Sequence, residues 1–307
     1  MEGVLLLNKP VGMTSHDCVA KLRRLAKTKK VGHTGTLDPD VTGVLPICLG
    51  RATKIVEYLT AETKTYEAEV TIGFSTTTED ASGDIVEKKA VDRIITLDEI
   101  ESVFDSLRGE IEQVPPMYSA VKINGKKLYE YARAGIVMER PSRKISIHEL
   151  TLLSDVTTSD ETVKFKFRTT CSKGTYIRTL AVMIGEKLGF PAHMSYLIRT
   201  KSGSFHLDQC LTFEEIEQHL EHGTLEGQLI SIGSALKDLP KLIIHDTLAE
   251  KVENGSVLPL PSEFEHLEVG APIVLYNEDS VCLAIYTKHP VKQHVMKPTK
   301  VLINKQN

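Results

Sequence analysis

The pattern of apolar and polar positions divides the chain into a long first part and a short second one. Val4 to Leu7 form an uninterrupted apolar run that Pro10 and Gly12 break, which predicts a buried first strand over residues 2–8. Ser15 then reads as a helix N-cap, with Asp17 in the first turn and Val19, Leu22 and Ala26 on one face. A Gly- and Thr-rich loop follows over 32–43, and a short helix over 51–60. Residues 66–74 alternate (Tyr66, Ala68, Val70, Ile72, Phe74), the mark of a half-buried strand. Asp98 to Leu107 reads as a helix. Residues 143–153 and 162–170 read as an antiparallel pair, with Val163, Phe165 and Phe167 on one face. Ile177, Leu180, Ile184 and Leu188 have helical spacing, closed by Gly189. Residues 117–142, after Pro115-Pro116, fit no single period and read as an irregular hairpin or helix–loop excursion.

Long strands with unevenly spaced helices predict an α+β fold, a mixed and mainly antiparallel sheet over residues 1–236. Beyond about 236, short apolar stretches between Gly255, Pro259, Pro261, Gly270 and Pro272 predict a small β-rich module over 237–307.

Composition narrows the function. No apolar run approaches the roughly 18 residues of a membrane span, and the opening apolar stretch is too short for a signal-peptide core. Five widely spaced cysteines (Cys18, Cys48, Cys171, Cys210, Cys282) with no C-x-x-C pair point to reduced thiols in the cytoplasm, not to a zinc site. The net charge is −4, but it is polarised. Lys21 to Lys30 holds six basic residues and no acid, and Val121 to Lys144 holds seven against Glu130 and Glu139. Ser202 to Leu236 has six acids and no Lys or Arg. A basic face for a polyanion fits this layout, as does a merely solvated surface.

The stretch VGHTGTLDPDVTGVLP, residues 31–46, carries the candidate chemistry. Its glycines and Pro39 make a defined loop that can approach a ligand. It lacks the Gly-Lys-Ser/Thr of a phosphate loop and has no metal-ligand spacing. From pattern alone, Asp38 reads first as a turn cap, Tyr66 as a core tyrosine and Leu197 as core.

Six ordered blocks add more. GHTGTLDPDVTGVLP resembles the signature loop of the TruB family of tRNA pseudouridine synthases. LNKPVGMTSHD, which contains Lys9, resembles the family's N-terminal motif, and Lys64-Thr65-Tyr66 its K-x-Y strand motif. PPMYSAVKINGKKLYEYAR (115–133) resembles the arm that covers the tRNA loop; CSKGTYIRTLA (171–181) and AHMSYLIRT (192–200) match two further blocks. Val41 departs from the pattern, where a smaller residue, usually alanine, is expected.

The resemblance implies isomerisation of the T-loop uridine at tRNA position 55, with the T-arm as partner and no obligate protein partner. Uracil is detached, rotated and rejoined through carbon 5, which needs neither cofactor nor metal. It implies that Asp38 is the catalytic carboxylate, either attacking the sugar or assisting glycal formation. Arg178 would pair with Asp38 and lower its pKa. Tyr66 would stack on the base, with Tyr176 and Leu197 as pocket walls, and His33 would fill the space left by the flipped base. Lys9, Lys122, Lys126 and Lys127 would contact substrate, Lys21 to Lys30 would meet phosphates, and the acidic stretch 208–226 would face away from the RNA. The C-terminal module would be PUA-like and the protein a monomer. Two rivals use the same residues: an RNA-binding protein without catalysis, and a nucleosidase that releases uracil.

Overall fold

The computed structural model describes residues 1–303. Seven strands form the backbone of the main sheet: β1 (Gly3–Lys9), β2 (Thr42–Leu49), β3 (Lys64–Ile72), β4 (Gly109–Gln113), β5 (Arg143–Leu152), β6 (Thr162–Cys171) and β7 (Ala192–Ser202). Their order is β1-β2-β7-β3-β6-β5-β4, with shorter strands paired at its margins. Every pairing along this path is antiparallel except β2 with β7, where Ile198 lies beside Thr42 and Arg199 beside Gly43.

The uninterrupted run in β1 has a simple cause: both faces of that corner of the sheet are covered. Leu5 and Leu7, with Leu45, Ile47 and Leu49 of β2, pack under helix α1 (Ser15–Leu25) and the acidic helix Phe213–Glu221. Val4 and Leu6, with Val44 and Cys48, pack against Ala235, Leu236, Val274, Ile285 and Leu302. The second cluster is where a five-stranded sheet spanning Lys241 to Val301 meets the main sheet.

The centre of the sheet alternates as expected. Tyr66, Ala68 and Val70 of β3 and Val163, Phe165 and Phe167 of β6 point to one face. Helices Leu97–Leu107 and Ile177–Leu188 cover it, with Phe104 packed between Phe165 and Phe167 at 6.2 Å from each ring. Gly189 ends the second helix in the left-handed conformation.

Several boundaries differ from the sequence reading. The N-cap of α1 is Thr14, reciprocally bonded to Asp17, and Ser15 turns inward instead. The strand expected over 66–74 starts at Lys64 and stops at Ile72; Phe74–Thr76 pairs separately with Ile85–Lys88. Residues 50–55 wind as a 3-10 turn before the short helix Val56–Thr60. The excursion after Pro115-Pro116 is a hairpin and a helix in succession: Lys122–Ile123 pairs with Lys126–Lys127, and Leu128–Arg133 follows. No helix among the described residues is long and apolar enough to cross a membrane.

Candidate active site

The loop bearing Asp38 is held from beneath by buried polar groups. Lys9 Nζ donates to the Pro39 carbonyl at 3.0 Å, and the Gly12 N–H donates to the same oxygen at 2.9 Å. The Ser15 hydroxyl accepts from the Leu37 N–H at 2.9 Å. Arg199, buried on β7, donates from Nε to Val44 O at 2.7 Å and lies over the Gly35 carbonyl. Small residues and a proline leave this loop with few side chains of its own to bury, so its backbone carbonyls and N–H groups are anchored by side chains from the core.

The loop, strands β3 and β7 and the turn before helix Ile177–Leu188 enclose a cavity of about 290 Å³. That is the small end for ligand sites and suits one nucleoside-scale group. Asp38, Tyr66, Tyr176, Arg178 and Leu197 all line it. Val41, the position where a smaller residue was expected, is buried and lines it too.

Arg178 organises the polar end. Its Nε lies 3.1 Å from an Asp38 oxygen, and its guanidinium is almost wholly buried while the Asp38 side chain is 42% exposed. Its Nη1 donates to Thr78 O at 2.9 Å and its Nη2 to Tyr118 O at 2.8 Å. Asp80 stands 3.9 Å from Nη1. One planar fork therefore fixes the Asp38 loop, the polar loop after β3 and the root of the 115–144 arm.

The electrostatics correct one expectation. Arg178 does pull the Asp38 pKa down, but burial pushes it up more strongly, with Asp80 adding to the rise; the net direction is upward from 3.8. A carboxylate held above its ordinary value is a stronger base and nucleophile once ionised. Burial also raises the Tyr66 phenol, against the opposing charge of Arg199. Lys64, on the same face of β3 as Tyr66, is brought down to about 8 by burial and then by Arg199, its ammonium bonded to Thr60 O and Glu62 O.

Two expected substrate residues lie outside the cavity wall: Lys9, and His33, whose expected place was the gap left by the flipped base and not the cavity. Lys9 is fully buried and directs its donors to Pro10 O and Pro39 O, so it positions the loop and does not line the cavity. His33 lies outside the cavity wall, edge-on to the ring of His16 at 5.5 Å, with its pKa lowered by burial and then by His16. Lys122 and Lys126 are exposed on the hairpin, and Lys127 lies over the Tyr129 ring at 5.4 Å. Lys21 is not a free cation: it pairs with Glu217 at 2.9 Å and covers the Phe213 ring, so the basic helix and the acidic helix touch.

Sequence reasoning missed Arg199, Asp80 and Gln113, whose side-chain amide bonds both the N–H and the carbonyl of Tyr176. Arg199 had a signal: it follows Leu197 at strand spacing, a charge in an inward-facing stripe. Asp80 and Gln113 act through backbone and loop geometry that no period reveals.

Comparison with known proteins gives the family and the fold. The profile described as TruB family pseudouridylate synthase (N terminal domain) matches residues 23–177, and that of the tRNA pseudouridylate synthase B C-terminal domain matches 178–239. The chain belongs to the TruB family of pseudouridylate synthases. It is 61% identical to the tRNA pseudouridine synthase B of Bacillus subtilis (strain 168), over 99% of each chain. It is 60% identical to that of Bacillus thuringiensis (strain Al Hakam), over 100% of this chain and 99% of the other. Its fold is also that of a Cbf5–Nop10–Gar1 complex, with a TM-score of 0.75, 26% identity and coverage of 98% of this chain and 85% of that one. An archaeal box H/ACA sRNP Nop10–Cbf5 complex gives 0.72 at 25% identity, over 99% and 87%. The TruB synthase is thus an α+β enzyme with a mainly antiparallel sheet and a small β-rich C-terminal module.

Proposed function

We propose that the protein isomerises uridine 55 in the T loop of tRNA to pseudouridine, with Asp38 as the catalytic carboxylate. The observation that carries this is the Asp38–Arg178 pair at the mouth of a nucleoside-sized cavity whose other wall is Tyr66. The target uridine leaves the RNA stack and enters the cavity, at a cost of a few kcal/mol. Asp38 assists cleavage of the N1–C1′ bond, either by attacking C1′ or by promoting loss of a sugar proton. The freed uracil turns against the Tyr66 ring and rejoins C1′ through carbon 5. Carbon 5 then gives up its hydrogen as a proton while N1 takes one up and Asp38 is free of the sugar again, so the isomer is complete with no redox change.

Leu197 and Tyr176 bound the base sideways, and the 115–144 arm with Lys122, Lys126 and Lys127 lies over the tRNA. The chain works as a monomer, a reading that rests on the family resemblance. It works in the reducing cytoplasm, which suits the buried free thiols Cys18, Cys48 and Cys171.

The test is tritium release from tRNA transcript labelled at uridine carbon 5, with wild type beside Asp38→Ala. Wild type should release tritium, and the variant should lose at least roughly 10⁴-fold in rate while still binding tRNA. Tight tRNA binding by wild type without release would sink the isomerase reading. Release of free uracil would replace it with a nucleosidase.

A further inference from the structure

Arg143 stands where the 115–144 arm returns to the sheet, as the first residue of β5, and the activity described so far makes no use of it. Its Nε and Nη2 are buried without a hydrogen-bond partner among the described residues. A buried, unpaired guanidinium edge is costly unless something else compensates its charge. Here the compensation is an aromatic face: the guanidinium carbon lies 4.7 Å from the centroid of the Tyr176 ring. A Cβ on Gly174, in the turn that leads to Tyr176, would lie 3.5 Å from its Nη1.

The same tyrosine is gripped a second way. Gln113, the register partner of Arg143 on β4, donates to Tyr176 O at 3.0 Å and accepts from the Tyr176 N–H at 2.8 Å. Gln113 precedes the arm and Arg143 lies at its far end. The two roots of the arm thus hold one residue of the cavity wall, Gln113 by its backbone and Arg143 by its ring.

We infer that Arg143 is a positioning residue for pseudouridine formation: its guanidinium seats the Tyr176 ring in the wall that bounds the flipped nucleoside. This rests on the isomerase reading above. The arm and the pocket wall are then joined through the arm's own roots.

A double-mutant cycle on single-turnover tritium release tests it, using wild type, R143M, R143K, Y176L and R143M/Y176L. R143M keeps the apolar stem and removes the charge. It should slow release about 3- to 30-fold, the range of a cation–π contact from partly to fully desolvated, with tRNA Kd changed less than about twofold. R143K should recover part of the loss, because an ammonium keeps the charge over the ring without the planar stack. In the Y176L background R143M should cost nothing further. Losses that multiply, with R143M equally harmful whether or not Tyr176 is present, would overturn the inference. So would weaker tRNA binding with a salt slope reduced by about one phosphate contact, which would make Arg143 an RNA ligand. Wild type that releases no tritium would sink the isomerase reading and this inference with it. Active wild type with multiplying losses sinks the inference alone.

Discussion

The Asp38 loop and the 115–144 arm border the same cavity but are held in opposite ways. The loop is short and buries few side chains of its own, Leu37 and Val41 among them, and Lys9, Ser15 and Arg199 reach up from the core to its backbone. The arm is rich in large and charged side chains, yet beyond its roots it is a two-residue ladder and a six-residue helix. Elements that hold a reacting group must resist displacement of even an ångström. An element that meets a large, variable RNA surface gains from adapting. Arg178 is the point of contact between the two regimes, since one guanidinium serves Asp38 on the loop and Tyr118 O on the arm.

Breaking that link should give the largest effect. Arg178→Lys keeps a positive charge but loses the fork, so at best one of its three short contacts survives. We expect single-turnover release to fall on the order of 10²-fold. The sign of the pH effect follows from the present balance. Arg178 now opposes the upward push of burial on Asp38. Weakening that opposition moves the Asp38 pKa further up, so the ionised form is lost at a higher pH as the solution is acidified. The acid limb of the kcat/KM profile should therefore shift to higher pH in the variant. An unmoved limb would mean that Asp38 does not set it.

The same substitution in each region separates rigid from open. A side chain on Gly43 would begin 2.2 Å from the Arg199 carbonyl oxygen, at a backbone φ of +108°. β2 and β7 lie too close there for any Cβ, and backbone cannot yield cheaply. Gly43→Ala should cost about 3 kcal/mol or more. Gly125, in the hairpin turn of the arm, also has a positive φ (+83°) but nothing within 4 Å of a new Cβ. Gly125→Ala should cost only about 1 kcal/mol, from the backbone conformation alone. Denaturant unfolding of both variants checks this, and equal losses would show that the arm is as tightly packed as the loop.

How far this contrast could be read from sequence depends on what each element is made of. β6 and the helix Ile177–Leu188 were legible because one buried face imposes a period on the residues. The cavity residues Asp38, Tyr66, Arg178, Tyr176 and Leu197 were reachable through ordered motifs, and they line one cavity. What escaped was every role set by the third dimension. Lys9 looked like a substrate cation because nothing in LNKPVGM says that its side chain points inward. The rise in the Asp38 pKa depends on how much water the fold removes, which no spacing records. Ser15 and Thr14 are interchangeable as caps on paper; the inward path of Ser15 to Leu37 decides between them.

On the arm itself, replacing Lys122, Lys126 and Lys127 together by alanine should weaken tRNA binding without touching the folded core. Lys122 and Lys126 are exposed and carry no ion pair among the described residues, and Lys127 lies only over the Tyr129 ring. Every lysine among them that touches a phosphate should, once removed, lower the slope of log K against log salt by about one unit. Filter binding between low and moderate salt reads it out. A slope equal to wild type would remove these lysines from the RNA interface.

Lys21 should give the smallest effect, and it tests whether charge in the sequence is charge available to RNA. It belongs to the most basic run of the chain, yet its ammonium already sits 2.9 Å from Glu217 and over the Phe213 ring. Binding a phosphate would require it to leave both partners, so little of its charge is offered outward. Lys21→Ala should leave tRNA affinity and salt slope within about twofold of wild type, and cost no more than about 1 kcal/mol of stability, as a half-exposed pair does. Glu217→Ala is the complementary variant: it frees the ammonium, and if the helix Ser15–Leu25 does face the RNA, affinity should rise and the salt slope steepen. Were Lys21→Ala instead to weaken binding as the arm variant does, the pairing with Glu217 would have to yield when RNA arrives, and the basic helix would join the arm as an adaptable surface.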